Sequence, residues 1–574
     1  MIIIPRKAIN RNSMSKEKRR NKNSNLKTIL ALLSYLKFYK RYIIAVLICL
    51  ISSSVIVYFQ PMIIQKITDF GMVGKNLKVI VTFVIILLLL IIIGQCIEVL
   101  QSFCFIKMYN AFYFDLMSMS FHKIMNLKIA YFTDKNSAQI IDNIKTDVTK
   151  VTSIVDRSFG IAISSFFHVL SGIAGLLVIS WKLTLVVLLM IPIKYVFVSL
   201  LSKLSEKLTE EQIRKISLFT SWFSDNINGI KEIKLWGLQD NRYEKFSKSQ
   251  KEILKNTNKI TMISAWNTFI ETILEWLIAG FIYVLGGIQI LNGSLTIGGV
   301  FAFVSYCSYV TGPIIIILNL KFMISSILPS ARRLFYFFDM EEENNNFVPD
   351  EKCIPDIINF RDVSFSYTAD KIVLDNFNLK IQPGEKIAII GENGSGKSTF
   401  LNLLLRFYEP NAGTITLGNK NIEEINLTSF RNMFAVVSQN PYLFADTIKN
   451  NINLEGKADG KQYSEACMDS RANVFIEKLP EKDNSMIGRN GSRLSGGEKQ
   501  KIAVARAMIK GAPYIIFDEA TTGFDIESEK YLQQIIKSGV NGKTLIMITH
   551  NYQYLEDMDH VYQLENGKIY EIAK

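Results

Sequence analysis

The sequence predicts a multi-domain membrane protein, in which an all-α transmembrane domain of six helices is joined to an α/β domain of the P-loop nucleotide-binding type. Three observations predict it. Apolar runs long enough to cross a bilayer, about 20 residues each, recur six times before residue 330. Past residue 353 the pattern changes to short β-type runs alternating with amphipathic helical stretches. One of those runs, "KIAII" at Lys386–Ile390, leads directly into the glycine-rich "GENGSGKST" of Gly391–Thr399.

Composition bounds the class. With 574 residues, 49% hydrophobic and 20% charged, and a mean hydropathy of +0.20, the chain is too apolar for an ordinary soluble protein and long enough for two or more domains. The net charge of +13 is concentrated at one end, because residues 1–41 carry twelve Lys or Arg against a single acid, Glu17. A basic arm just before an apolar span reads as a cytoplasmic anchor on anionic membrane lipid; a nucleic-acid tail is the weaker reading, and no nucleic-acid partner is expected. Met1–Ile4 is too short for a signal-peptide core, so no cleaved leader is expected. The six cysteines (Cys49, Cys96, Cys104, Cys307, Cys353, Cys467) have no metal or redox spacing and read as reduced, small apolar residues.

The six spans fall near 42–59, 79–104, 159–180, 183–200, 262–291 and 299–328. Only Ser180–Lys182 separates the third from the fourth, and Asn292–Gly298 the fifth from the sixth. Residues 105–158 and 201–261 are long, polar and basic, which places them, the arm and the C-terminal half on the cytoplasmic side of a multi-pass inner membrane protein. They lack Pro and Gly clusters and carry helical apolar spacing such as Leu201, Leu204 and Leu208, so they are expected to be membrane helices continuing into water and turning back. The expected division is an arm at 1–41, a transmembrane domain at 42–340, an acidic, Asn-rich linker at 341–353 and an α/β domain at 354–574.

The α/β domain carries the chemistry. In the Gly391–Thr399 loop, backbone amides of Gly391, Asn393, Gly394, Ser395, Gly396 and Thr399 can wrap phosphates; Lys397 reaches the outer ones and Ser398 can ligate Mg²⁺. "YIIFDEA" (Tyr514–Ala520) is the matching acidic strand end, where Asp518 can hold Mg²⁺ through water and Glu519 can polarise an attacking water as general base. Alone, an apolar strand ending in Asp-Glu is common, and the P-loop upstream gives it meaning.

A third motif, "LSGGEKQ" (Leu494–Gln500), opens a helix after a glycine turn and makes the domain resemble the nucleotide-binding domain of ATP-binding cassette (ABC) transporters. The resemblance implies ATP and Mg²⁺ as cofactors. It also implies adenine stacking for Tyr367 in "FSYT", a metal-side and catalytic role for Gln439 in "VVSQNPYLF", a D-loop aspartate in Asp525, and a switch histidine in His550. A lone Tyr, Gln or His is usually structural; their order carries the likeness. "AYFTDKNSAQIIDNIKTDV", "SWKLTLVVLLMIP", "GIKEIKLWG" and "GSLTIGGVFAF" are similar to the six-helix exporter type, which implies that Tyr131–Ser137 and Gly229–Gly237 press on the ATPase domains.

One chain holds one P-loop and one signature turn. By the resemblance, two copies are expected to pair head to tail as a homodimer, with Ser495, Gly496 and Gly497 of one facing the ATP held by Lys397 of the other. Three positions depart from the family pattern: Glu498 stands where Gln is commoner, "TGFD" replaces "SALD", and Arg489 replaces a usual glutamate.

Charges within spans are costly and seldom face lipid. Glu271 and Glu275 lie one turn apart in the fifth span beside Trp276, and Lys321 lies in the sixth. One reading is an acidic, aromatic cavity for cationic amphipathic cargo; the other is an internal ion pair of one Glu with Lys321. The expected function is ATP-driven export of an amphipathic peptide or drug-like molecule. A lipid or glycolipid flippase and an ATP-switched regulator or channel are the alternatives.

Overall fold

The structure is a computed structural model and describes residues 21–133, 137–343, 354–368, 371–520, 526–537, 542–550 and 552–572. The chain folds as two compact units, one running to His122 and resuming at Ala138–Asp339, the other combining Lys123–Ser137 with the residues from Met340 onward. Residues 1–20 of the basic arm and residues 344–353 of the expected linker lie outside the described residues.

The first unit is helical, as hydrocarbon demands of a chain whose backbone groups must satisfy each other. Its elements are α1 (Asn21–Leu36), α2 (Lys40–Lys66), α3 (Leu77–Asn126), α4 (Ser137–Thr152), α5 (Arg157–Ile179), α6 (Trp181–Asn228), α7 (Ile230–Leu235), α8 (Gln239–Leu291), α9 (Ile297–Thr311) and α10 (Ile314–Asp339). The last turn of α3 belongs to the second unit. α8 has 53 residues. At about 1.5 Å per residue it is about 80 Å long, against about 30 Å of hydrocarbon. The polar stretch 201–261 is therefore helix extended beyond the bilayer, and the reversal falls at Gly229 and α7. Ser180 makes the tight third connection by adopting an extended backbone and capping α6 through Leu183 N.

Five stretches among the described residues are long and apolar enough to cross a membrane. The expected sixth span, 299–328, is not one helix. It is divided into α9 and α10 at Gly312–Pro313, where proline offers no N–H to the helical ladder. At the other end of α9, Asp69 accepts hydrogen bonds from Thr296 Oγ1 (2.6 Å) and Gly298 N (2.8 Å), anchoring that helix start to the π-turn Ile67–Val73. Packing of this unit centres on Phe303 and Tyr306 of α9, Leu176 of α5, Val187 of α6 and Ile282 of α8, all buried.

The second unit holds β1 (Ile358–Thr368), β2 (Lys371–Ile381), β3 (Lys386–Ile390), α11 (Lys397–Leu404), β4 (Ala412–Leu417), β5 (Lys420–Asn421), α12 (Leu427–Asn432) and β6 (Phe434–Val437). There follow α13 (Ile448–Ile452), α14 (Gly460–Asp469), α15 (Asn473–Ile476), α16 (Gly496–Lys510), β7 (Tyr514–Asp518), α17 (Ile526–Lys537), β8 (Thr544–Ile548), β9 (His560–Glu565) and β10 (Lys568–Ile572). Two sheets form, β10-β9-β3-β8-β7-β6 and the antiparallel β2-β1-β4-β5. Within the larger sheet β9, β3, β8, β7 and β6 run parallel, and β7 and β8 are buried along nearly their whole length, as sheets covered on both faces are. Phe360, Phe377 and Phe400 fill the core beside the antiparallel sheet, with ring centroids 5.2 to 5.7 Å apart.

Candidate functional site

Four parallel strands end at one edge. Ile389 of β3 stands opposite Ile548 of β8, Asp518 of β7 opposite Ile548, and Phe517 opposite Val437 of β6. The segments that follow these strands, Gly391–Gly396, Gln439, Glu519 and His550, therefore emerge together, at the carboxyl end of a parallel sheet where such folds bind ligands.

The glycine-rich loop is shaped by sterics. Gly396 has φ +114°, and a Cβ there would fall 2.8 Å from Leu374 Cδ2; at Gly391 it would fall 2.4 Å from the Leu564 carbonyl oxygen. Asn393, Gly394 and Ser398 are exposed, whereas Lys397 and Thr399 are buried. The Lys397 ammonium donates to the carbonyls of Gly391 (2.6 Å) and Glu392 (2.9 Å). Burial holds it below the usual lysine range, while Glu519 and Asp518 pull it back up. The same burial pushes the Asp518 carboxyl up, Glu519 adds to the rise and Lys397 opposes it.

Glu519 is held on both oxygens. Gln439 Nε2 donates to Oε2 at 2.6 Å, and His550 Nε2 lies 2.9 Å from Oε1. Its own backbone sits at φ +48°, in the left-handed region, and its N–H bonds the Ile548 carbonyl at 2.9 Å. A non-glycine residue kept there stores strain, a common mark of a functional site. A carboxylate so fixed can accept a proton from a water placed before it.

Two family models match the chain, the ABC transporter transmembrane region over residues 43–314 and ABC transporter over 374–522. An ATP-dependent lipid A-core flippase of Desulfotalea psychrophila is 30% identical over 461 residues, covering 80% of each chain. The chain belongs to the ABC transporter family. The flippase of the same name from Thiobacillus denitrificans is 28% identical over 544 residues, covering 94% of each. In fold, the structure of a bacterial Atm1-family ABC exporter with ATP bound matches with a TM-score of 0.78 over 92% of this chain and 94% of that one, at 21% identity. This ABC transporter is thus an exporter-type half-transporter, a multi-pass membrane protein that binds and hydrolyses ATP.

The transporter's loop fits a nucleotide on its own evidence. Ser395 Oγ is buried with no hydrogen-bond partner among the described residues, and the Lys397 ammonium is turned onto loop carbonyls that flank the phosphate cradle. Bound ATP would supply the phosphoanhydride bond; the chain supplies the cradle, the cation and the fixed carboxylate. Tyr367, 47% exposed, is steadied from below, since its hydroxyl lies 3.2 Å from Thr399 Oγ1 and accepts from Asn402 Nδ2 at 3.1 Å. Its ring makes edge-to-face contacts with Phe365 and Tyr408.

The signature turn starts α16. Ser495 caps it, and Glu498 closes a capping box by accepting from Ser495 N at 2.7 Å, so the acid at the unusual position has a structural task. Ser495 and Gly496 are exposed. Asp525 lies outside the described residues. Sequence reasoning missed Gln500, which donates to the carbonyls of Ser438 (3.2 Å) and Gln439 (2.6 Å) and so sets the loop that carries Gln439. It is the last letter of the motif already singled out, and its burial was the hidden signal.

In the membrane unit, Glu271 and Glu275 are both paired, and their partner is Lys194 of α6. Its ammonium, 1% exposed, lies 3.0 Å from Glu271 Oε1 and 2.8 Å from Glu275 Oε1, and donates to the Thr311 carbonyl at 2.8 Å. The expected partner, Lys321, has its side chain outside the described residues. Lys194 lies inside the expected fourth span, two residues after Pro192, and escaped notice because a single lysine within an apolar run does not reveal its partner. Trp276 is exposed.

Proposed function

We propose that the protein is a homodimeric flippase that uses ATP to move an amphipathic, lipid-type molecule across the cytoplasmic membrane. The observation that carries the reading is likeness along nearly the whole chain to proteins named ATP-dependent lipid A-core flippase, from several bacteria. The peptide or drug reading rested on an acidic cavity. With Glu271 and Glu275 already neutralised in part by Lys194, that cavity loses much of its pull on a cationic cargo.

Each site takes one nucleotide on Tyr367 and the loop from Gly391 to Thr399. Lys397 bears on the outer phosphates, and Ser398, Gln439 and Asp518 are the side chains for Mg²⁺. Glu519, oriented by His550 and Gln439, accepts the proton of the attacking water. Ser495, Gly496, Gly497 and Asp525 of one copy complete the site of its partner, so binding of ATP and closure of the dimer are one event. The basic arm and both termini lie in the cytoplasm.

The test is transport in proteoliposomes. A headgroup-labelled phosphoglycolipid and a labelled cationic amphipathic peptide are each supplied on the ATP-accessible side. ATP-dependent movement of the glycolipid, with turnover stimulated by it, supports the reading. Movement of the peptide alone overturns it.

A further inference from the structure

Three consecutive acids follow the end of α10, and each has its own cation. Glu341 pairs with Lys128 (3.1 Å), Glu342 with Lys123 (3.1 Å) and Glu343 with Arg431. They are not equal. The Glu341 side chain is 83% exposed, so its pair is worth little. The Glu343–Arg431 pair is mostly buried, 19% and 26% exposed, and is bidentate, with Nη1 on Oε2 at 2.8 Å and Nη2 on Oε1 at 3.0 Å.

What Arg431 touches besides Glu343 gives the pair its interest. Arg431 Nε donates to the Leu405 carbonyl at 3.0 Å and Nη2 to the Arg406 carbonyl at 2.9 Å, where the P-loop helix α11 ends, and the guanidinium lies 4.7 Å over the Phe407 ring. Arg431 also stands at the end of α12, three residues before β6, the strand that delivers Gln439. Its own carbonyl and that of Phe434 accept from Lys510 Nζ, at 3.1 and 2.7 Å, on the last residue of the signature helix α16. The Arg431 guanidinium thus joins the tail of the phosphate helix to Glu343, three residues past Met340 where the chain re-enters this unit, while the Arg431 backbone carbonyl ties the same residue to the tail of the signature helix just before the Gln439 strand begins. Glu343 is fixed on its other side as well, since its N–H donates to the Asn126 carbonyl at 2.8 Å, at the end of α3.

We propose that Glu343 and Arg431 are positioning residues that transmit nucleotide state to the membrane helices, by a route separate from the segments Tyr131–Ser137 and Gly229–Gly237. Neither belongs to the glycine-rich loop or to the strand-end residues of the ATP site. A shift of the P-loop helix or of β6 on ATP binding displaces Arg431. Its two-point grip on Glu343 passes the displacement to the chain ends of α10 and α3.

The test is hydrogen exchange on the full-length protein in lipid nanodiscs, with and without Mg-ATP, in a Glu519→Gln background that retains nucleotide. The reference protein is expected to show ATP-dependent changes both in the loop at 391–399 and in the far connections at 67–76 and 291–296. Glu343→Ala should keep the change at 391–399 and lose the one in the far connections. The charge swap Glu343→Arg with Arg431→Glu should restore it, which a contact of purely structural value does not require. In the wild-type background, Glu343→Ala should retain basal ATP turnover. If Glu343→Ala yields no folded protein, Glu343→Gln replaces it. A far response that survives in the single variant overturns the proposal, as does a folded double swap that fails to restore it, or a reference protein with no far response.

Discussion

His550 Nε2 and Glu519 Oε1 stand 2.9 Å apart, joining residues that follow two neighbouring parallel strands. With Gln439 on the other carboxylate oxygen, Glu519 has little freedom to rotate. General-base assistance contributes about 10²–10⁴-fold to a rate. Glu519→Gln keeps the shape and the Gln439 contact but cannot take a proton, so phosphate release should fall by about that range while ATP is still bound. His550→Ala should cost less, because Gln439 continues to hold the other oxygen. Phosphate release and retained nucleotide measure both, and wild-type turnover in Glu519→Gln would remove it from the proposed role.

Gly391 and Gly394 lie three residues apart in one loop and should respond differently to the same methyl group. At Gly391 the added carbon meets the Leu564 carbonyl oxygen at 2.4 Å, a backbone atom that cannot step aside. Gly391→Ala should therefore cost about 1–3 kcal/mol as overpacking and abolish tight ATP binding. Gly394 has open space around its Cβ position and only its φ of +84° to strain an alanine, a cost of about 1–2 kcal/mol. Titration with a fluorescent ATP analogue separates the two; equal loss of nucleotide affinity at both positions would contradict the steric account.

Much of this was legible in the sequence because the ATP site is made of local motifs. A P-loop needs glycines at fixed offsets between a strand and a helix, and Gly391–Thr399 shows them without reference to anything distant. The antiparallel sheet β2-β1-β4-β5 was not foreseen, since its pairings, such as Ile358 with Leu417, join residues far apart in sequence. The break at Gly312–Pro313 was passed over because the apolar run continues through it, and hydropathy does not register a missing N–H. Gln500 and Lys194 share one reason for escaping. Each is a polar residue whose purpose lies in a partner on another element, and composition does not reveal a partner.

Lys194 supplies a test of that last point. Its removal leaves two carboxylates near one helix break without their cation, and breaking a buried pair from one side typically costs about 3–5 kcal/mol. Glu271, 20% exposed at its side chain against 42% for Glu275, is the more enclosed of the two carboxylates. Lys194→Met should lower stability and yield in detergent. Adding Glu271→Gln and Glu275→Gln should recover most of the loss, because no uncompensated charge remains. If the triple variant is no better than the single one, the hydrogen bond to the Thr311 carbonyl, not the charge balance, is what Lys194 contributes.

His560 offers a pH test away from the ATP site. Its Nδ1 lies 2.6 Å from Glu571 Oε1 across the β9–β10 pair. That hydrogen bond raises the imidazole above its ordinary value against the opposing effect of burial, with the charges of Glu571, Glu385 and Asp559 adding to the rise. A histidine raised in the folded state binds more protons there than in the unfolded chain. Its stabilisation is therefore complete below the unfolded value of about 6.5 and disappears as pH climbs through the folded value. The ring is 40% exposed at its side chain, so solvent screens the effect and the stability change should be small. With only four histidines in the chain, ring-proton NMR of selectively labelled protein can follow this one directly. Glu571→Gln should move the His560 titration down towards 6.5 and flatten the fall in stability over the same interval. A wild-type ring that already titrates at or below the ordinary value would show that water, not Glu571, sets its charge.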